Sequence, residues 1–297
     1  MKGDKTVNMR DHIKKCDADF RTRLFDIADG ICREGIVRII SLSGPTCSGK
    51  TTAATMLAGR LAENGKNVNI VSIDDFYYDR DYLHELSLKK GTDSIDYDSI
   101  DTIDVEELET FIKEAFTCDE VHSPVFDFKT GVRTGYRAIR TSANDVFIFE
   151  GIQAIYPQIT RLFRPYGAIS VYICPSSSVE AGGEIFEPNE IRLMRRLVRD
   201  HNFRNADAEF TMRLWDSVRE NEEKNIFPYA HSCAYQIDSS KPYEIGILKP
   251  YLENILRDIS LNSKYYKRSV EILEKIANVA PIDSALIGDD SLYKEFV

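Results

Sequence analysis

The sequence predicts an α/β fold: a doubly wound, mostly parallel sheet of about five strands with a small β-hairpin flap and an arginine-rich helical lid. Three observations predict it. Short β-branched and aromatic runs alternate with segments of helical spacing. The first run, Ile36–Leu42, leads into Gly44-Pro45-Thr46-Cys47-Ser48-Gly49-Lys50-Thr51, the pattern G-x-x-x-x-G-K-S/T between a strand and a helix. Arg192, Arg195, Arg196 and Arg199 fall at i, i+3, i+4 and i+7, on one helical face.

The loop pattern carries chemistry through its backbone. Glycines allow a tight turn around an anion, successive N–H groups and the next helix's N-terminus point at it, and a lysine adds a full charge. A P-loop site for a nucleoside triphosphate is therefore expected on Gly44, Cys47, Ser48, Gly49, Lys50, Thr51 and Thr52, with the Thr51 hydroxyl placed to ligate Mg²⁺.

With 297 residues, 43% of them hydrophobic, the chain can bury a full core. We divide it into an N-terminal helical extension (1–34), a P-loop domain (35–260) and a C-terminal helical extension and tail (261–297). A formal charge of −10 disfavours general affinity for nucleic acid or anionic membrane, so phosphate binding has to come from local basic clusters. Cys16, Cys32, Cys47, Cys118, Cys174 and Cys233 show no C-x-x-C spacing, which argues against a zinc site or a disulfide framework. No apolar run nears the roughly twenty residues of a membrane span, and Met1–Arg10 is too polar for a secretory signal. A soluble, cytoplasmic protein is expected.

Along the chain, Met9–Glu34 places Phe20, Leu24, Ile27, Ala28 and Ile31 at helical spacing, and Gly35 stops the pattern. Thr51–Asn64 reads as a helix burying Ala53, Ala54, Leu57, Ala58 and Leu61, ended by Asn64-Gly65. Asn67–Ile73 is a second strand, which opens a right-handed βαβ unit. Ligands of such sheets bind beyond the carboxyl ends of the strands, which selects Asp74 and Asp75. Between Asp79 and Glu107 the apolar periodicity is lost, and a long acidic loop holding Asp93, Asp96, Asp98, Asp101 and Asp104 is expected. Its last aspartate caps a helix through Leu108, Phe111, Ile112 and Ala115.

Ser123–Arg140 mixes Phe126, Phe128, Gly131 and Gly135 with Lys129, Arg133 and Arg137 and reads as a hairpin, either a flap over a ligand or one packing its own rings. Asp145–Phe149 is a buried strand ending in Glu150, the position from which a carboxylate holds Mg²⁺. Ala168–Cys174 and Ala234–Asp238 complete the sheet. In Glu190–Arg204 the four like charges repel unless carboxylates or a bound polyphosphate sit opposite, and Arg204 lies where a lid would carry it. Phe210–Lys224 is helical with Trp215 in the core, and Tyr243–Ile259 is expected to be interrupted and kinked at Pro250. Tyr265–Ala277 is the last helix, and the polar tail to Val297 carries no chemical signal. His12, His84, His122, His201 and His231 lack a serine or cysteine partner, so no nucleophilic triad is expected.

Taken together, Gly44–Thr51, Asp74-Asp75-Phe76-Tyr77, Asp96–Asp104, Pro124–Arg133, Phe149-Glu150-Gly151 and Arg192–Arg204 resemble, in order, the uridine kinase and phosphoribulokinase group of P-loop kinases. The likeness runs from about Gly35 to Leu252. Phe126-Asp127-Phe128-Lys129-Thr130-Gly131 and Glu222-Glu223-Lys224-Asn225-Ile226-Phe227-Pro228 are most similar to the bacterial uridine-kinase-like branch. The resemblance implies an ATP- and Mg²⁺-dependent kinase acting on a small-molecule alcohol, the 5′-hydroxyl of uridine or cytidine, with homo-oligomerisation left open. It implies Asp74 as general base, Thr51, Glu150 and Asp74 around the metal, and Lys50, Arg199 and Arg204 on the phosphates. Asp98, helped by Arg196, would hold ribose hydroxyls, while Tyr77, Tyr97, Phe126 and Phe128 would line the acceptor pocket.

Two departures from the family pattern stand out. Pyrimidine-selective members carry a tyrosine and a histidine in the flap where this chain has Phe126 and Gly131, and the second lid arginine is Ala206. Losing groups that read base edges removes discrimination more than stacking. Another small alcohol, such as a sugar phosphate or polyol, therefore stays open as acceptor. So does a nucleotide-binding regulatory protein without kinase activity, although no N-K-x-D guanine motif is present.

Overall fold

The computed structural model describes residues 2–92 and 95–297, so Asp93 lies outside the described residues. In chain order the elements are α1 (Lys2–Arg33), β1 (Ile39–Ser43), α2 (Lys50–Glu63), β2 (Asn67–Ser72), α3 (Arg80–Lys89) and α4 (Val105–Ala115). The antiparallel hairpin β3 (Glu120–Asp127) and β4 (Val132–Arg140) follows, then β5 (Asp145–Glu150), α5 (Pro157–Phe163) and β6 (Ala168–Cys174). A small hairpin, β7 (Val179–Ala181) and β8 (Glu184–Phe186), leads into α6 (Pro188–Arg204), α7 (Ala208–Asn225), α8 (Phe227–Ala230), β9 (Tyr235–Asp238), α9 (Glu244–Arg257) and α10 (Tyr266–Ile276).

Strands pair in the order β2-β5-β1-β6-β9, all parallel, as the sequence predicts. Both faces of the sheet are covered, which is why its central strands read as continuous apolar runs. On one face Ile40 and Leu42 pack with Leu57 of α2 and with Phe20 and Leu24 of α1. On the other, Phe147 and Phe149 meet Phe111 of α4 and Phe163 of α5. A separate apolar cluster around Leu197, Trp215, Leu252 and Ile276 binds α6, α7, α9 and α10 together.

Two local expectations are corrected. The stretch expected as one long loop contains α3, which buries only Leu83 and Ser87, a stripe too narrow to produce an apolar period. Pro250 does not interrupt α9. A proline there denies the Gly246 carbonyl its helical partner, and the Ile282 N–H from the tail donates to that carbonyl at 2.9 Å instead. The neighbouring Lys249 ammonium donates to the carbonyls of Ile276, Ala277 and Val279 at 2.7–2.9 Å, capping the end of α10.

Helix α6 solves its charge problem inside the protein. Arg192 donates to both oxygens of Glu222 on α7 at 2.5 and 2.6 Å, and Arg195 donates to Glu244 on α9 at 2.8 Å. Both guanidiniums are fully buried, so these two arginines are structural. Removing one partner of a buried pair leaves an unpaired charge away from water. Glu222→Ala is therefore expected to cost about 3–5 kcal/mol in urea denaturation. Glu223→Ala, which removes an exposed carboxylate that pairs with Arg219, should cost less than ~1 kcal/mol.

Candidate active site

The phosphate loop joins β1 to α2 in the geometry an anion requires. A side chain at Gly44 would strike the Ile173 carbonyl of β6, so only glycine lets the loop lie this close to the sheet. Gly49, at φ +91°, turns the chain into α2 and offers no side-chain cap. The first turn of α2 also holds no acidic residue, so its N–H groups and dipole end face outward without an anion from their own segment. Cys47 is left-handed as well, at φ +57°. The Lys50 ammonium folds back onto the carbonyls of Gly44 and Pro45 at 3.1 and 3.2 Å. Ser48 is buried with its Oγ unpartnered, and Thr51 is exposed on the first turn of α2.

Two carboxylates face this loop from adjacent strand ends. Glu150 closes β5 in register with Ser72 of β2, and Asp74 sits in the short 3-10 turn that follows β2. Burial, and then the charge of Asp74, push Glu150 up to about 7 against the pull of Lys50. Asp74 is also raised, chiefly by burial, with Lys50, Arg204 and Arg199 opposing. Its Oδ1 is buried without a hydrogen-bond partner among the described residues. An orphaned carboxylate oxygen, a second carboxylate and a hydroxyl suit a hard divalent cation that takes its remaining ligands from water and phosphate. Among the described residues no group of three or more His, Cys, Asp or Glu could hold a metal without such help.

The lid arginines converge on Asp200, which sequence reading passed over although it stands four residues from both Arg196 and Arg204. Its carboxylate accepts from Arg196 at 3.2 Å and from Arg199 at 2.6 Å, and Arg204 lies 3.8 Å away. Arg204 ends α6 and is 57% exposed. The backbone then turns through Asn205 at φ +52° into Ala206, whose N–H returns to the Asp200 carbonyl.

The residues expected around the acceptor sit in a hydrogen-bonded frame. The Tyr77 hydroxyl donates to the Tyr97 carbonyl at 2.8 Å, and Gln153 Nε2 donates to the same carbonyl at 2.9 Å. The Tyr156 hydroxyl donates to the Asp98 carbonyl at 2.8 Å and accepts from Asn221 at 2.9 Å. Gln153, Tyr156 and Asn221 were missed in the sequence. Their signal was proximity to Glu150-Gly151 and to the Glu222–Pro228 segment. Burial pushes the Asp98 carboxyl up to about 6 against the nearby Arg196. Tyr77 meets Tyr97, Phe126 and Phe128, and Phe126 meets Phe128, with centroids 5.2–6.0 Å apart and planes at 61–86°, so each of these four contacts is edge to face. Phe126 is buried and Phe128 half-exposed.

Other flap residues serve the scaffold. Asp75 accepts the Phe126 N–H at 3.2 Å. Arg133 donates to the carbonyls of Tyr77 and Phe76 at 2.9 and 3.1 Å and pairs with Glu107 and Asp104, while Arg137 donates to the Ile70 carbonyl. Gly131, at φ +75°, has the Arg80 guanidinium where a side chain would lie. A histidine at that position would have to displace Arg80.

Residues 39–242 match the model of the Phosphoribulokinase / Uridine kinase family. The chain belongs to that family. As a member it is an ATP-dependent kinase that phosphorylates an alcohol group of a small molecule and uses a divalent metal. It is 27% identical to a uridine kinase of Ureaplasma urealyticum over 180 residues, 61% of this chain and 77% of the relative. It is 30% identical to a uridine kinase of Mycoplasma genitalium over 181 residues, 61% of this chain and 74% of the relative. Among solved structures, the phosphoribulokinase from Rhodobacter spheroides aligns with 70% of this chain and 74% of its own at a TM-score of 0.46 and 17% identity. No helix among the described residues is long and apolar enough to cross a membrane.

The raised Glu150 carboxyl gives the kinase a pH signature. Its folded value of about 7 lies above the ordinary 4.5, so the stability it contributes is full below the ordinary value and is lost as pH rises through about 7. Relative to Glu150→Gln, the ligand-free wild type should lose on the order of 3 kcal/mol between pH 4.5 and 7.5. Denaturant midpoints at a series of pH values measure the difference.

Proposed function

We propose that this kinase transfers the γ-phosphoryl group of Mg²⁺-ATP to the 5′-hydroxyl of a nucleoside, uridine or cytidine. The observation that carries the reading is the setting of Asp74. Its unpartnered, buried oxygen lies in the field of Lys50, Arg199 and Arg204 and within electrostatic reach of Tyr77 and Asp98. A base is most effective when its proton affinity approaches the working pH, and burial moves Asp74 in that direction. Asp74 would accept the proton of the acceptor hydroxyl, and Asp98, oriented by Arg196, would accept hydrogen bonds from vicinal hydroxyls of a ribose. Lys50 and the lid arginines would hold and neutralise the transferring phosphoryl group, so catalysis is positioning plus charge stabilisation. Mg²⁺ held by Thr51 and Glu150, beside Asp74, would neutralise charge on the β- and γ-phosphates. The relatives named uridine kinase support the same acceptor.

A second reading, a compact polyol or sugar, is favoured by the rings of the acceptor cluster. They pack edge to face against one another rather than opening a flat slot for a base. A phosphorylated acceptor is the least suited, because Arg133 and Arg137 are committed to backbone carbonyls and carboxylates.

A panel of nucleosides, polyols, sugars and sugar phosphates, read by acceptor-stimulated ATP turnover, separates these cases. Uridine or cytidine should lead, and a polyol or sugar exceeding every nucleoside would replace the nucleoside reading with the second. Asp74→Asn is expected to lower kcat by roughly 10²- to 10⁴-fold with ATP affinity within about threefold. Equal turnover by the two proteins would remove Asp74 as base.

A further inference from the structure

The tail that carried no sequence signal ends on the phosphate loop. Leu292, Tyr293 and Phe296 are buried there, and the Leu292 side chain lies directly over Gly49, where any side chain on the glycine would strike it. The Tyr293 hydroxyl accepts from Arg195 Nη2 at 2.8 Å, and the Asn202 amide of α6 donates to the Phe296 carbonyl at 3.0 Å. These contacts deliver Glu295 to the start of α2. One of its oxygens, Oε1, accepts from the Thr52 N–H at 2.8 Å and from the Thr52 hydroxyl at 2.5 Å. The same carboxylate lies in the electrostatic field of Arg199 and of Glu150.

We propose that the C-terminal strap is an autoinhibitory plug in which the Glu295 carboxylate stands in for a phosphate group of the donor nucleotide. A free N–H in the first turn of a phosphate-loop helix is the donor such a loop offers to its ligand. Here a carboxylate 243 residues away in sequence has taken it. The rest of the surroundings are those of a phosphate: the positive end of a helix dipole, a nearby lid arginine and the family's metal-facing carboxylate. Glu150 and Glu295 repel each other across this space, so a cation or a nucleotide entering beside Glu150 meets a second anion that has to leave. The buried Leu292, Tyr293 and Phe296 hold the strap at its root, which leaves Glu295 poised over the loop at a high local concentration. A nucleoside triphosphate binds only to the fraction of molecules in which Glu295 has withdrawn, and its apparent affinity is lowered by that fraction.

This predicts two effects of opposite sign. In the full-length chain, Glu295→Gln should lower the melting temperature of the ligand-free protein, because an anion is lost from the helix start. It should also tighten ATP binding by roughly tenfold in titration calorimetry with Mg²⁺ present. Tripolyphosphate should gain similarly, whereas adenosine, which has no phosphate to compete, should be unaffected. Glu295→Asp, one methylene shorter, serves as an independent variant should Glu295→Gln fail to fold, and it should shift ATP affinity in the same direction. Unchanged ATP affinity with a lowered melting temperature would make the contact purely structural and overturn the proposal. Weaker ATP binding would place Glu295 in the donor site instead and overturn it as well. If neither wild type nor variant binds ATP, the donor site and the plug fall together.

Discussion

The structure depends on how it neutralises an excess of positive character gathered at the carboxyl edge of the sheet. A phosphate loop is a helix start stripped of its own acidic residues, and α6 adds four arginines on one face beside it. Left alone, these groups would repel and would expose unsatisfied donors. The chain answers with carboxylates from elsewhere: Glu222 on α7 for Arg192, Glu244 on α9 for Arg195, Asp200 for the remaining arginines and Glu295 of the tail for the start of α2. The first two are buried and fix the packing of the lid against α7 and α9. The last two lie at the carboxyl edge itself, Asp200 among the arginines of α6 and Glu295 on the first turn of α2.

Around Tyr77, Tyr97 and Tyr156 the same edge is organised by neutral hydrogen bonds. Gln153 follows Glu150 by three residues and bonds to Tyr77 and to the Tyr97 carbonyl, so the turn after Glu150 is tied to the segment carrying Asp98. Tyr156 and Asn221 extend the tie to α7. Such a frame ties the segments that carry Asp74 and Asp98 together without charge of its own. The flap is fixed by its own arginines. Arg133 gathers the backbone after β2 and the start of α4, and Arg80 fills the space beside Gly131. Gly131 is thus part of how this flap packs.

Much of the fold was legible because it rests on local patterns. The five strands read as apolar runs since both faces of the sheet are covered, and Asp104 announced α4 as its cap, its side chain accepting the Glu107 N–H at 3.0 Å. Helix α3 was illegible because it buries only a narrow stripe. Pro250 misled because the partner that restores its helix, the Ile282 N–H, lies in a segment with no pattern.

By itself, then, the sequence determined the sheet, the phosphate loop, the two strand-end carboxylates and the family, since each depends on residue types at short, fixed spacing. Only the tertiary structure decided which arginines are buried in ion pairs, because the four look alike on one helical face until Glu222 and Glu244 arrive from other helices to bury two of them. It also decided that Glu295 sits on Thr52. The strength of a hydrogen bond or an ion pair depends on distance in space, and no spacing along the chain encodes a contact that the fold creates between the start of one helix and the last turn of the tail.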